Sequence, residues 1–550
     1  MGKVRVTAAV IIASALLMVA APASARGGYV WHITKDHWSQ ADEQGFGKFI
    51  QALGSTDCSS SESCLRNAAN PYRNLDPSGM DIDTDCAKWP YLARAYYAWH
   101  NGLPFSYVNG VSGEGGDLRY NKLGNRAVSR RDVTDHGGGI DGPNALRTLM
   151  SEVYSGTYRT DAGERHGILS DFYSPALRPG TIHPGTIVYD ANGHVGIIYK
   201  VDADGRAYYM DAHPDFSISR SVYGAQFGQS PMRLGGGFKN WRPFKLVGAH
   251  RDGAGNLIGG HMVYADNDQI VDFSLAQYTG TDGTASDPEK ARFSYNGIDL
   301  GFYEYVRVAV SGGRMDYNPV YELKMTMQTM CNDLHDRAQF VDQAIAENFQ
   351  NKPHLARLPD NIYGSSNQDW ENYSTPSRDA RLKEAAAQFY RDMHDMIGMW
   401  INRDPRIVYD GQFLKQDLAA AYQKASDACT ITYLSSDKRP VAMTYDDMIH
   451  RLYRMSFDPY DCIEMRWGAS GSEADSCTNG HDKVRWYEAE QRLRNQSDRT
   501  YQATMSFSIA DLDQHARGSG TDDPAPNDVK SLIDTMGDQV PFTGMAAVGH

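Results

Sequence analysis

Beyond its first 25 residues the chain has no apolar run long enough to cross a bilayer, which takes about 20 apolar residues. It has no basic excess. The net charge of −14 at pH 7 argues against a nucleic-acid partner, and the acidic residues are scattered as on a solvated surface. No repeat of fixed period is present. No His-x-x-x-His or comparable metal-ligand spacing occurs, and neither a metal nor a cofactor is expected. His250 and His261 stand near Asp252, Asp266 and Asp268, but "DGAGN" and "DNDQ" read as turns of a polar hairpin. His335 and His394 fall in helical sequence as solvent-facing residues. Cysteine is scarce, seven residues in 550, and the number is odd.

What is present starts with an export signal. Lys3 and Arg5 precede an apolar run from Val6 to Ala21, then Pro22 and the small triplet Ala23-Ser24-Ala25. This is the pattern of a secretory signal peptide cut after Ala25, which implies a secreted or periplasmic protein with no membrane span in the mature chain. The apolar run is short for an anchor, and no cysteine follows the cut to carry a lipid. In an oxidising compartment cysteines pair. Cys58 and Cys64 bracket a Ser-rich loop, Cys462 and Cys477 bracket a polar loop, and Cys331 and Cys429 lie in helical sequence. If these are three bridges, Cys86 is left over; other connectivities satisfy the same count.

Length predicts about two to four domains. After the signal at 1–25, residues 26–250 order helices ahead of strands such as "PGTIVYD", "HVGIIYKV" and "RAYYMDAH", the order of an α+β domain. Residues 251–320 read as a β and loop connector. Residues 321–515 are mainly helical, with helices expected at Gln412–Lys424, Tyr445–Ser456 and Lys483–Asn495 among others. The turn-rich stretch 516–550 reads as a flexible tail.

The leftover cysteine has a chemical setting. Asp85 can cap the helix that follows Cys86, and Leu92, Ala95, Tyr96 and Trp99 mark its buried face. A helix N-terminus lowers a thiol's pKa. Pro90 disturbs the start, so Cys86 is expected on an irregular turn just ahead of the regular helix. A thiol nucleophile needs a base and a group that orients the base. His194 opens the strand "HVGIIYKV" behind Gly193. If the hairpin to "RAYYMDAH" has an even loop, His194 and Gly196 share a face with Asp211 and His213, and an odd loop breaks that match. Either Asp211 or His213 then orients His194.

These segments resemble the NlpC/P60 cysteine peptidases over about residues 68–215. "NPYRNLDPSGMDIDTDC" is similar to the family's Pro-Tyr and Asp-Cys signature, "GTIVYD" to its Pro-Gly-Asp-Leu-Val strand with Thr186 in place of Asp, "GHVGIIY" to its His-Val-Gly-Ile strand, and "YYMDAH" to the strand bearing its third polar residue. Asn74-Leu75 and Ala87-Lys88 depart from the family's Gly-Gly and Ser-Gly, and "DHGGGIDGPN" is an insertion. The resemblance implies a papain-like fold and a secreted hydrolase of amide bonds in peptidoglycan peptides, working through a thioester. It implies Cys86 as nucleophile, His194 as base, Asp211 as orienting group with His213 as the alternative, and Tyr72 as an auxiliary near the nucleophile. The partner implied is a cell-wall peptide or a protein substrate. An inactive envelope-binding module and a papain-like protease or acyltransferase with other substrates are the competing readings. The helical half fits a recognition module, a dimerisation element or an inhibitory cover. The sequence fixes no oligomeric state.

Overall fold

The computed structural model describes residues 29–537 apart from Ser365 and 500–502. The expected signal peptide and the last thirteen residues lie outside that range. The chain is a mixed α and β structure with small antiparallel sheets.

In the N-terminal half, α1 (Gln40–Gly54) starts with a capping box between Ser39 and Asp42, and α2 (Lys88–His100) follows the Cys86 turn. The main sheet has six strands: β1 (Phe172–Tyr173), β2 (Ile187–Asp190), β3 (His194–Val201), β4 (Ala207–Ala212), β5 (Ile218–Val222) and β6 (Gly237–Trp241). Their order is β1-β6-β2-β3-β4-β5, and every neighbour is antiparallel. One face carries Val195, Ile197, Met210 and Ala212 and joins Trp89, Leu92, Tyr96 and Ile50 of the two helices in one core. The other face carries Val188, Ile198 and Tyr209 and packs on α3 (Phe302–Val310) through Phe302, Tyr305, Val306 and Ala309. The segment read as a connector therefore closes the second face of the sheet.

The C-terminal half is built on α4 (Pro319–Ala346), α5 (Pro376–Ile401) and α6 (Leu414–Ala428). Leu382, Ala386, Phe389, Met393 and Ile397 recur at helical spacing and are buried against Leu323, Met327, Met330 and Leu334 of α4. Within this interface Arg337 and Asp379, each 2% exposed, pair at 2.7 Å. A strand pair the helical reading missed, Thr430–Leu434 with Pro440–Thr444, packs beside them. The helix expected at Lys483–Asn495 is two, α7 (His481–Ala489) and α8 (Gln491–Asn495), broken at Glu490. The stretch expected to be a flexible tail is held as far as residue 537. There α9 (Val529–Asp534) buries Val529 and Ile533 in the helical core, because its apolar residues recur at helical spacing behind an Asp528 cap.

Three disulfides join Cys58 to Cys64, Cys331 to Cys429 and Cys462 to Cys477, and Cys86 is free. Among the described residues no helix is long and apolar enough to cross a membrane.

Candidate active site

Cys86 occupies a turn immediately before α2. Asp85 makes that turn: its Oδ1 accepts the N–H groups of Ala87 and Lys88 at 3.1 Å, and its carbonyl accepts that of Trp89 at 3.0 Å. Pro90 has no N–H for the carbonyl of Cys86, so the first turn stays irregular. The buried Tyr158 hydroxyl donates to the Ala87 carbonyl at 2.7 Å and pins it from below.

The thiol rests against the backbone on both sides of His194. Sγ donates to the Gly193 carbonyl at 3.8 Å, and the Val195 N–H is directed at the sulfur. Burial, then the nearby Asp85 charge, pushes the thiol up to about 12; the Val195 N–H opposes this and Asp211 adds to it. Burial therefore outweighs the helix N-terminus, and the thiol is protonated at neutral pH.

His194 Nε2 meets Asp211 Oδ2 at 2.5 Å. The register explains the contact. The β3–β4 loop spans residues 202–206, an odd length that by itself puts the pair on opposite faces. A bulge at Tyr199, between the Ile198↔Tyr209 and Lys200↔Tyr208 pairs, removes the mismatch. Continuing the Ile197↔Met210 register sets Gly196 across from Asp211 and His194 across from His213. Asp211 reaches diagonally over the bare Cα of Gly196.

A chain of donors converges on Asp211. Arg378 of α5 donates to His213 Nδ1 at 3.2 Å, His213 Nε2 to Ser219 Oγ at 2.8 Å, and Ser219 to Asp211 Oδ1 at 2.7 Å. Arginine only donates, so His213 is the neutral Nε2–H tautomer, and burial and the Arg378 charge both lower its pKa. Burial alone would raise Asp211; His213, the His194 bond and Ser219 outweigh it and hold the carboxyl well below the usual range. Burial lowers the His194 pKa despite the Asp211 bond. The imidazole is thus neutral with Nε2–H on Asp211, which leaves Nδ1 as the proton acceptor.

The helical half covers this arrangement. Asp333 and Asp336 of α4 and Arg378 and Arg381 of α5 close a cavity of about 50 Å³ with His194 and Asp211. The His194 and Asp211 side chains keep 12% and 4% exposure. Phe340 sits edge-on to His213, and Gln343 donates to Asp215 at 2.6 Å. On the thiol side Tyr363 stacks on Tyr120 at 4.6 Å. Tyr120 in turn lies over Gly193, where the positive φ of 96° and a would-be Cβ 2.8 Å from the Tyr120 ring both require glycine. Arg499 pairs with buried Asp190 at 2.8 Å. A larger cavity of about 890 Å³ lies beside the site at the junction of the halves and shares Gln226 and Asp333 with the small one.

The structure thus gathers Cys86, His194, Asp211 and His213, with Asp211 on the imidazole and His213 one step removed. Tyr72 is a correction. Its hydroxyl bonds Asn101 and its ring stacks on His100, at the far end of α2, roughly 20 Å along the helix from Cys86. It packs among Phe49, Tyr96 and Tyr97, because its ring is drawn to that aromatic cluster. His250 and His261 lie exposed on short strands. The sequence reading missed Ser219, Tyr120, Tyr158 and Arg378. Ser219 had a signal, since a β4–β5 hairpin sets it opposite Asp211; Arg378, 165 residues from His213, had none.

Thiol counting on the denatured, unreduced chain should return one group, and none for Cys86→Ala. Zero in the parent chain would mean that Cys86 is modified or bridged between chains.

No protein-family model, curated protein or solved structure matches the chain.

Proposed function

We propose that the chain is a secreted cysteine hydrolase of NlpC/P60 type, with a papain-like N-terminal half, that cleaves amide bonds in cell-wall peptides and is kept closed by its own helical half. One observation carries this reading. The single unbridged cysteine lies against the backbone flanking a histidine whose far ring nitrogen is held by a buried carboxylate. A structural cysteine in an exported chain needs no such neighbour.

In the closed state the thiol donates to the Gly193 carbonyl and not to the imidazole. Opening hydrates the thiol, and rotation about Cα–Cβ turns Sγ toward His194 Nδ1. His194 takes the thiol proton, and Asp211 stabilises the imidazolium. The thiolate attacks the carbonyl carbon of the amide, and His194 returns the proton to the departing amine. The thioester is then hydrolysed by a water that His194 deprotonates.

The test is incubation of the parent chain and Cys86→Ala with purified peptidoglycan and with casein, before and after limited proteolysis, with mass spectrometry of the products. New amine and carboxyl ends in peptidoglycan fragments, absent for Cys86→Ala, are expected. Cleavage of casein alone would move the reading to a protein-directed protease. Binding to peptidoglycan with no product from either form would leave a binding module.

A further inference from the structure

A second convergence of polar side chains lies in the helical half, away from the thiol. His354 follows the short turn Phe349–Asn351, Asp458 lies in the loop after Phe457, and Glu490 sits at the break between α7 and α8. One ligand atom of each lies within 4.8 Å of the others. Glu490 is fully buried, and neither of its carboxylate oxygens has a hydrogen-bond partner among the described residues.

The surroundings give Glu490 no hydrogen bond. Phe457, Tyr460, Trp486 and Leu493 form an apolar wall around the cluster. Arg494 donates to the Tyr487 carbonyl at 2.6 Å and to Gln491 Oε1 at 2.8 Å, while its buried Nε–H has no partner among the described residues and its charge acts on Glu490 without a hydrogen bond; Lys483 donates to the carbonyls of Tyr460 and Gln350. Asp461 is satisfied by Ser456 and Asn479. A buried carboxylate with no partner is strongly unfavourable unless it is protonated, paired or bound to a metal.

His354 is prepared as a ligand. Its Nδ1 faces the Leu355 carbonyl at 2.6 Å, which fixes the proton there, and its ring stacks on Trp486 at 4.1 Å, which fixes its plane. Nε2 is hydrogen-bonded to Asp458 Oδ2, so both ring nitrogens face acceptors and a bound cation would replace the Nε2 proton between His354 and Asp458. A histidine whose second nitrogen is held by a backbone carbonyl is the usual support for a metal-bound imidazole. Asp458 is oriented in the same way, with Oδ1 taken by the Tyr460 N–H at 2.7 Å.

We infer that His354 Nε2, Asp458 and Glu490 form a binding site for one divalent transition cation, Zn²⁺ by its mixed nitrogen and oxygen donors, that braces the covering half. The two other groups with metal-ligand composition, around Cys331 and Cys429 and around Cys462 and Cys477, have their sulfurs committed to disulfides. The three donors come from separate segments, His354 and Asp458 being 104 residues apart, so no sequence spacing announces the site.

The test uses the full chain carrying Cys86→Ser, which removes the thiol as a competing zinc ligand. After equilibrium dialysis against Zn²⁺ and gel filtration, metal analysis should find one Zn²⁺ per chain, and Zn²⁺ should raise Tm. The isosteric Glu490→Gln and His354→Gln should each weaken binding about 100-fold or more and abolish the rise in Tm. Crystals of the loaded parent should show an anomalous zinc peak among the three side chains, a readout that needs no folded variant. No bound Zn²⁺ in the parent, undiminished binding by both variants, or an anomalous peak only elsewhere would overturn the inference.

Discussion

Loosening the cover with Tyr363→Ala and Arg499→Ala together should raise the rate of Cys86 alkylation by iodoacetamide at pH 7.5 on the order of 10³-fold. The thiol of the half-buried Cys86 stands at about 12 in the closed chain, raised first by desolvation and then by the Asp85 charge. A solvated cysteine titrates near about 8.5, and the thiolate is the reacting form, so hydration alone recovers roughly three powers of ten. The two substitutions remove the stack on Tyr120 and the partner of Asp190. The pH dependence carries the same sign. A thiol held above its unfolded value favours the closed state fully below about pH 8.5, and that advantage is lost as the pH climbs toward 12. Alkylation of the parent should therefore keep rising past pH 9, while the doubly substituted chain levels off. Rates are read by peptide mapping over time, and an unchanged rate in a folded double variant would mean that the cover does not control the thiol.

Asp211→Asn should lower turnover of any amide substrate by about 10³- to 10⁴-fold, the scale seen when a triad carboxylate is neutralised. Asp211 opposes the effect of burial on His194, so its loss drops the imidazole pKa further and narrows the thiolate–imidazolium window on its alkaline side. His213→Ala should leave kcat within about tenfold, because the hydrogen-bonded link from His213 to Asp211 runs through Ser219, the direct approach of Nε2 to Asp211 Oδ2 being a longer 3.8 Å. It should, however, release Arg378 and speed alkylation. Full activity in Asp211→Asn with loss in His213→Ala would reverse the two roles.

The sequence was informative where the determinants are local. Capping by Asp85, the apolar spacing of α2 and the turn glycine at Gly193 each act within a few residues, and so does the short separation of Cys58 from Cys64 and of Cys462 from Cys477. The strand face of His194 was legible for an incomplete reason: the loop is odd, and the bulge at Tyr199 compensates. Bulges carry no strong sequence mark here, since Tyr199 is an ordinary strand residue. Tyr72 misled because the residues around it fix a contact with the end of α2, not with its start. An inhibitory cover was one of three roles open to the helical half, and none of the contacts that make it one could be read. It depends on pairs such as Arg378 with His213 and Arg499 with Asp190, hundreds of residues apart in the second case, whose chemistry is that of any exposed charge until packing selects the partner.

Glu322, near the start of α4, is gripped by Arg206 at the head of β4 and by Arg307 of α3. That clamp would make the N-terminal end of α4 the fulcrum of any swing of the helix. From Glu322 the helix is a lever of about 1.5 Å per residue, so Asp336 lies roughly 21 Å and Gln343 roughly 32 Å along the arm. A swing of about 10° lifts Asp336 by about 4 Å and Gln343 by about 6 Å. That is enough to break the Asp215 contact and admit water to His194 while the clamp itself stays closed. The Cys331–Cys429 bridge lies on the same arm and carries α6 with it. A rotation of the helical half about Glu322 would thus act most strongly on the residues above the imidazole.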